Sequence, residues 1–188
     1  MTLFYHQRFF SDARNVATTT LLLLVVGFWS VPQAFLLVPV VALIGANQTA
    51  FDASYLLFAR QYAAELEAYI NRAMRHRVLV AAELEDRYLF PLNTPKIVTI
   101  SPGRDISWFG WMTLLYTCLG GLAFVAGLVL GWQVLIEAGT GWTVFYLGSL
   151  TFLTAGSLLV GWWWFVLGTG EKRLRKILDN SFGRTQPD

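Results

Sequence analysis

Two long apolar runs that contain no charged residue constrain the fold of this chain most strongly. They cover about residues 108–132 and 142–167. Each run is bracketed by tryptophans spaced about 20 residues apart, at Trp111 and Trp132 and at Trp142 and Trp162. Twenty helical residues rise roughly 30 Å, which is the hydrocarbon thickness of a bilayer, and indole rings favour its two interfaces. Both runs are therefore predicted to be transmembrane helices.

Two shorter apolar runs, at about 15–31 and 33–51, lie nearer the N-terminus. A tight turn joins them, and the second contains Pro39. They predict a hairpin that either crosses the bilayer or enters and leaves from one side, and both alternatives return the chain to its starting side. No small-residue cleavage site follows Trp29, so an uncleaved anchor is favoured over a signal peptide.

Composition supports an integral membrane protein, because 14% of the residues are charged, against about 25% in soluble domains. The predicted fold is all-α, with four transmembrane helices of which the first two are short, a long cytoplasmic extension of the second helix, and a small cytoplasmic cap. The predicted segments are an interfacial N-terminal segment at 1–14, a transmembrane hairpin at 15–51, a cytoplasmic helix and cap at 52–107, a second transmembrane hairpin at 108–167, and a basic amphipathic tail at 168–188.

The basic residues are distributed unevenly along the chain. All 14 Lys and Arg residues lie before residue 15, between 60 and 104, or after 171. The turn at 30–33 and the loop predicted at 133–141 contain none. Because cytoplasmic loops are enriched in Lys and Arg, this pattern predicts an inner (plasma) membrane protein with both termini in the cytoplasm.

An aromatic stripe follows the second apolar run. We call it the aromatic face; its members are Phe51, Tyr55, Phe58, Tyr62, Leu66 and Tyr69. Members are three or four residues apart in a pattern that repeats after 11 residues, which predicts one nearly straight helix. An uncovered stripe of this size favours aggregation, so a cover is expected. The rest of the cytoplasmic segment, a second copy of the chain and another membrane protein remain alternative covers.

The segment that would form the cap carries turn signals at Pro91, Pro95 and Pro102. Residues 96–100 are β-branched and strand-like. Residues 78–84 either pair with that strand in a small hairpin or continue the preceding helix, and the sequence leaves both interpretations open.

Small and basic residues suggest further contacts. Small residues recur every four positions in the third and fourth apolar runs, which favours packing of these two helices within the chain or association with another subunit. They are Ala123, Gly127 and Gly131 in the third run, and in the fourth run Ala155, which follows Thr151 by four positions, and the pair Ser157 and Gly161. The tail predicts an amphipathic helix whose basic residues contact anionic lipid headgroups. They are Lys172, Arg173, Arg175 and Lys176.

Catalytic chemistry finds little support in the sequence. The chain has two distant histidines and one cysteine, Cys118, which are too few and too scattered to predict a metal site. The sequence contains no phosphate-binding or nucleophile motif that would predict a cofactor or an enzyme. A net charge of +2 argues against binding of nucleic acid. The acidic group Glu83, Glu85 and Asp86 is interpreted as a solvated face.

The expected function is a non-enzymatic structural or accessory subunit of a membrane complex or homo-oligomer. An oligomeric pore and a lipid-handling enzyme with a site near Glu83, Glu85 and Arg87 are the alternatives.

Overall fold

The computed structural model describes residues 2–82, 84 and 108–182, and its regular elements there are helices. In chain order they are α1 (Thr2–Trp29), a 3₁₀ helix (Pro32–Leu36), α2 (Leu37–Met74), α3 (Trp108–Leu130), α4 (Trp132–Ala138), α5 (Thr140–Gly161), a π-helical turn (Trp162–Val166) and α6 (Thr169–Ser181). Within the described residues there is no β-strand.

Four helical segments in the described part of the chain are long and apolar enough to cross a membrane. They are Gln7–Trp29, Pro32–Met74, Trp111–Leu130 and Thr140–Val166. The prediction of an all-α fold with four potential membrane helices is therefore confirmed by length and composition, and a membrane location fits the chain.

α1 is longer than predicted, because it has 28 residues and begins well before the apolar run at 15–31, so the expectation that the first helix is short was wrong. α2 has 38 residues, because the second apolar run and its predicted extension form one helix. The apolar runs are short, but polar residues on either side of them extend the same helices. Pro39 does not interrupt α2, because it lies in the first turn, where a helix tolerates the missing N–H. Between the helices, Val31 has an extended backbone, as a residue before proline prefers.

The chain divides into two compact units, which are described separately. One unit, here the bundle unit, comprises Gln7–Asp52 and Leu114–Val160. The other, here the terminal unit, comprises Met1–His6, Ala53–Thr113 and Gly161–Asp188. The division falls inside α2, between Asp52 and Ala53.

The first half of α2 and the 3₁₀ helix before it contact three other helices in the bundle unit. Gly45 lies directly against Val16 of α1. Gly127 of α3 lies against Val38 and Pro39, close enough that a methyl group at Gly127 would overlap them. These close approaches explain why small residues occupy these positions.

Hydrogen bonds attach α5 to the same region. The Tyr146 hydroxyl donates to the Leu36 carbonyl at 2.7 Å, and Asn47 Nδ2 donates to Ser157 Oγ at 2.9 Å. A hydrogen bond in an apolar environment is costly to lose, so the two bonds limit sliding of α5 along α2.

Residues predicted as the loop at 133–141 are mostly helical. α4 covers Trp132–Ala138, and Gly139, at φ 93°, separates it from α5. Leu135 of α4 is buried, and its carbonyl accepts a 2.7 Å hydrogen bond from Thr143 Oγ1 of α5. The loop prediction was therefore wrong, because burial of Leu135 and the bond from Thr143 stabilise a helix that is too short to be stable alone.

In the terminal unit, α2 ends at Met74 and Arg75 adopts a positive φ of 53°, which reverses the chain. The Asn71 side chain then forms the hydrogen bonds with the following backbone that a neighbouring strand would otherwise form. Its Oδ1 accepts from the Val78 and Leu79 N–H groups at 2.9 Å, and its Nδ2 donates to the Leu79 carbonyl at 2.6 Å. These bonds use backbone groups that a hairpin would need.

A new helical turn begins immediately after this segment. Glu67 Oε2 accepts a 2.8 Å hydrogen bond from the Ala82 N–H, and residues 81, 82 and 84 are helical. Neither a hairpin strand nor a continuation of α2 is therefore present at the described positions of 78–84, and the β-hairpin is not supported. The strand predicted at 96–100 and most of the expected cap lie outside the described residues.

Candidate functional site

The aromatic face lies along one side of α2 and remains accessible in the folded chain. Its six residues are between 36% and 51% exposed. By contrast, Leu56 and Ala59 lie about 120° and about 60° further round the same helix from the centre of the face at 100° per residue, and they are 2% and 0% exposed. α2 therefore buries a neighbouring face of small and aliphatic residues and leaves the aromatic face outward.

Residues from both ends of the chain contact the aromatic face within the terminal unit. The Tyr5 ring stacks on Tyr55, with centroids 5.5 Å apart and planes 15° apart. The Phe182 ring lies 6.2 Å from Tyr62 and 5.7 Å from Tyr69. These contacts leave Tyr69 half-exposed, so the cover is partial.

A polar cluster lies where α1 and α2 face each other in the bundle unit. It consists of Arg8, Asp12, Gln48 and Asp52. Asp52 is 1% exposed, and its Oδ1 lies 3.2 Å from Arg8 Nε. Gln48 Nε2 lies 3.4 Å from Asp12 Oδ2 and 3.5 Å from both Asp52 carboxylate oxygens. Each helix contributes two residues four positions apart, which places both side chains on the same face.

This polar cluster fixes the register of α1 against α2. A buried carboxylate is costly unless a cation and hydrogen-bond donors compensate it. Arg8 and Gln48 supply both, and shifting α1 by one turn would separate Arg8 from Asp52. Two carboxylates meet one guanidinium here, so the cluster carries a net negative charge when all three groups are ionised.

The polar cluster was missed from the sequence, although a signal for it exists. In an antiparallel helical hairpin with its turn near residue 30, facing residues have numbers that sum to about 60. Arg8 with Asp52 and Asp12 with Gln48 both satisfy this relation. Residues 2–14 of the segment predicted as interfacial form the beginning of α1, and its Arg8 and Asp12 point toward α2.

The small residues predicted for helix packing separate into different environments. Gly127 and Gly131 lie against residues 35–39, before and at the start of α2, rather than against α5. Ser157 accepts a hydrogen bond from Asn47 of α2. Ala155 is exposed, and a methyl group built at Gly161 would meet no neighbouring heavy atom within 4 Å. The intrachain contact of α3 is thus with the region that begins α2.

The basic tail forms the amphipathic helix α6. Leu178 is buried, whereas Ile177 is 53% exposed. The four basic residues predicted to contact lipid headgroups, Lys172, Arg173, Arg175 and Lys176, are exposed on the other side of the helix. Arg175 Nη2 also forms an ion pair with Glu171 Oε1 at 2.5 Å.

The remaining sequence candidates add no site in the described part of the chain. Glu83, Glu85, Asp86 and Arg87 lie outside the described residues. Among those that are described, no group of three or more His, Cys, Asp or Glu side chains is arranged to hold a metal ion.

Comparison with models of protein families, with curated proteins and with solved structures finds no match to this chain. Function is therefore inferred from the chain's own geometry. That geometry presents an accessible aromatic face, a compensated polar cluster and a cationic helix, which are features suited to contacts with other molecules and to holding helices in place.

Proposed function

We propose that this chain is a non-enzymatic subunit of a membrane complex and that the aromatic face of α2 binds another membrane protein. The observation that carries the proposal is the accessibility of this face, since each of its six residues remains at least 36% exposed. Together they offer roughly 500 Å² of mainly apolar surface, near the upper end for the largest patch on a monomer.

The charges of α2 support an environment outside the hydrocarbon core for this face. Arg60, Glu65, Glu67 and Arg72 all lie in the half of the helix that carries it. Charged side chains at the centre of a bilayer are costly, so lipid tails are a poor cover for this half. Tyrosine and phenylalanine in an aqueous or headgroup environment are typical of protein interfaces.

The proposed partner is a membrane protein that presents an apolar groove near the cytoplasmic surface. The orientation is part of the proposal: both termini and the second half of α2 are cytoplasmic, because the segments joining α1 to α2 and α3 to α5 lack Lys and Arg. The tail supports the same sidedness, since its exposed cations suit the anionic inner leaflet.

A charge substitution on the aromatic face tests the proposal. Phe58→Glu places a carboxylate in the face, and Ala64→Glu places the same charge on an exposed position roughly 160° from the centre of the face around the helix. Each variant is expressed at its natural level, purified in mild detergent and sized by native mass spectrometry. We expect the parent and Ala64→Glu proteins to retain a stoichiometric partner and Phe58→Glu to lose it.

Two results would contradict this function. One is a parent protein that purifies as a stable monomer without a partner under conditions that preserve other membrane complexes. The other is a partner that remains bound equally to both variants. Circular dichroism of each variant separates loss of binding from loss of folding, since a folded helix content must be retained for the comparison.

A further inference from the structure

α5 uses one side for contacts within its own chain. Tyr146 and Ser157 are hydrogen-bonded to Leu36 and Asn47, Thr143 bonds the Leu135 carbonyl, and Leu150 is 5% exposed. At 100° per residue these four positions of α5 fall within about 60° of one another around the helix. The internal side of α5 is therefore well defined, and its opposite side faces away from the other helices of the bundle unit.

The opposite side alternates small and large residues with a seven-residue period. Its small members are Gly141, Gly148 and Ala155, and its large members are Phe145, Phe152 and Leu159. The large side chains are 66%, 78% and 71% exposed. Among the described residues, no neighbouring heavy atom lies within 4 Å of a methyl group built at Gly141 or Gly148, so no contact with this part of the chain requires either glycine.

This alternation is complementary to itself. Two copies inserted the same way in a membrane can pair through a two-fold axis along the membrane normal, which places equal residue numbers at equal depth. The line of small residues on one helix then faces the line of large residues on the other. Phe145 lies level with the gap between Gly141 and Gly148 of its mate, and Phe152 with the gap between Gly148 and Ala155.

We propose that α5 pairs with α5 of a second copy of this chain in a parallel two-fold dimer, with Phe145 and Phe152 inserted between the small residues of the opposite helix. A strict seven-residue period keeps such a seam aligned when two helices cross with a left-handed twist of about 20°. Small residues at the seam allow the close approach on which association in lipid depends.

The available surface is sufficient for a reversible dimer. The three large residues and the adjacent Val144, which is 65% exposed, offer roughly 500 Å² per copy, or about 1,000 Å² for the pair, near the lower limit for a specific interface. A neighbourless glycine is not distinctive by itself, since Gly121 of α3 also has no described neighbour within 4 Å, and it is the regular alternation of small and large residues that distinguishes this side of α5. The exposed side of α3 is lined by Leu122, Val125 and Val129, which suit lipid tails directly.

Disulfide cross-linking in native membranes tests the geometry. In a chain whose Cys118 is replaced by serine, a single cysteine is introduced by Leu159→Cys or, as a control, by Val160→Cys. Val160 is similarly exposed at 62% but lies 100° further round the helix. Oxidation is expected to convert the Leu159→Cys protein to a species of twice the chain mass at least ten-fold faster than the Val160→Cys protein. Equal rates, or no dimer from either, would overturn the proposal.

A glycine substitution tests the energetics independently. Gly148→Leu fills a gap that the opposite phenylalanines need, whereas Gly121→Leu makes the same change at a glycine of α3 that also has no neighbour within 4 Å. The monomer–dimer equilibrium is measured in lipid vesicles by energy transfer between labelled copies. We expect Gly148→Leu to weaken association at least ten-fold and Gly121→Leu to leave it within two-fold. Unchanged association of Gly148→Leu would overturn the proposal.

The α5 dimer is separate from the binding proposed for α2, and the experiments distinguish them. The Phe58→Glu variant should form the α5 dimer normally, and Gly148→Leu should retain the α2 partner. Loss of both contacts in either variant would mean that the two surfaces belong to one interface and would contradict a dimer formed by α5 alone.

Discussion

Replacement of Gly127 by alanine should destabilise the folded protein through a steric clash with the region that begins α2. A methyl group at this position would lie 2.6 Å from Pro39 Cδ, 2.8 Å from Val38 Cβ and 3.0 Å from the Phe35 carbonyl oxygen. The contacted atoms belong to a proline ring, a branched Cβ and the backbone. None of them moves aside by a simple side-chain rotation.

The size of the effect follows from comparison with Gly121→Ala. Both glycines lie inside α3, so the intrinsic helical preference for alanine is the same for both and cancels in the difference. A methyl group at Gly121 would meet no heavy atom within 4 Å. Overpacking in a tight helix interface costs about 1–3 kcal/mol, so Gly127→Ala should be less stable than Gly121→Ala by that amount.

Reversible unfolding in mixed micelles measures this difference. The chain contains 8 tryptophans, so intrinsic fluorescence reports loss of tertiary structure as denaturing detergent increases. The free energy of unfolding is compared for the two variants and the parent protein. Equal stability of Gly127→Ala and Gly121→Ala would refute the close approach of α3 to residues 35–39 and, with it, the arrangement of the bundle unit.

Three further predictions concern the polar cluster, the tail and the orientation. Arg8→Gln should lower the free energy of unfolding by about 2–3 kcal/mol, because it leaves the buried Asp52 carboxylate without its cation. Adding Asp52→Asn to this variant should recover most of that loss. A double variant as unstable as Arg8→Gln alone would argue against the pairing. Phe182→Ala should remove two ring contacts worth about 0.5–1.5 kcal/mol each and increase tryptic cleavage in α6, whereas unchanged cleavage would indicate that the ring does not hold the tail. In a cysteine-free chain in intact cells, a membrane-impermeant thiol reagent should label a cysteine placed at Gly139 and not one at Ala73, and the opposite pattern would reverse the proposed orientation.

The helical nature of the chain was predictable because the dominant signals are local. Long apolar runs and the eleven-residue spacing of the aromatic face specify helices without reference to their neighbours. α2 indeed continues without interruption from Leu37 to Met74. The bounds were less predictable, since the helical extensions at 2–14 and the short α4 depend on tertiary contacts such as those of Asp52 and Leu135.

The β-hairpin alternative is not supported at 78–84 because a side chain takes the place of a backbone partner there. Asn71 makes three hydrogen bonds to Val78 and Leu79, so a segment with strand-like residues is held by a helix instead of by another strand. The polar cluster was missed for a related reason. Arg8 and Asp52 are more than forty positions apart in sequence, and only the register of the helical hairpin brings them within 3.2 Å.

The central claim is that the aromatic face contacts another membrane protein, and site-specific photo-crosslinking in living cells tests it most directly. A photoreactive phenylalanine analogue replaces either Phe58 on that face or Ala64, which is exposed on another side of α2. We expect irradiation to yield one discrete adduct with a membrane protein from position 58 and none from position 64. Lipid adducts alone from position 58, or identical protein adducts from both positions, would contradict the claim.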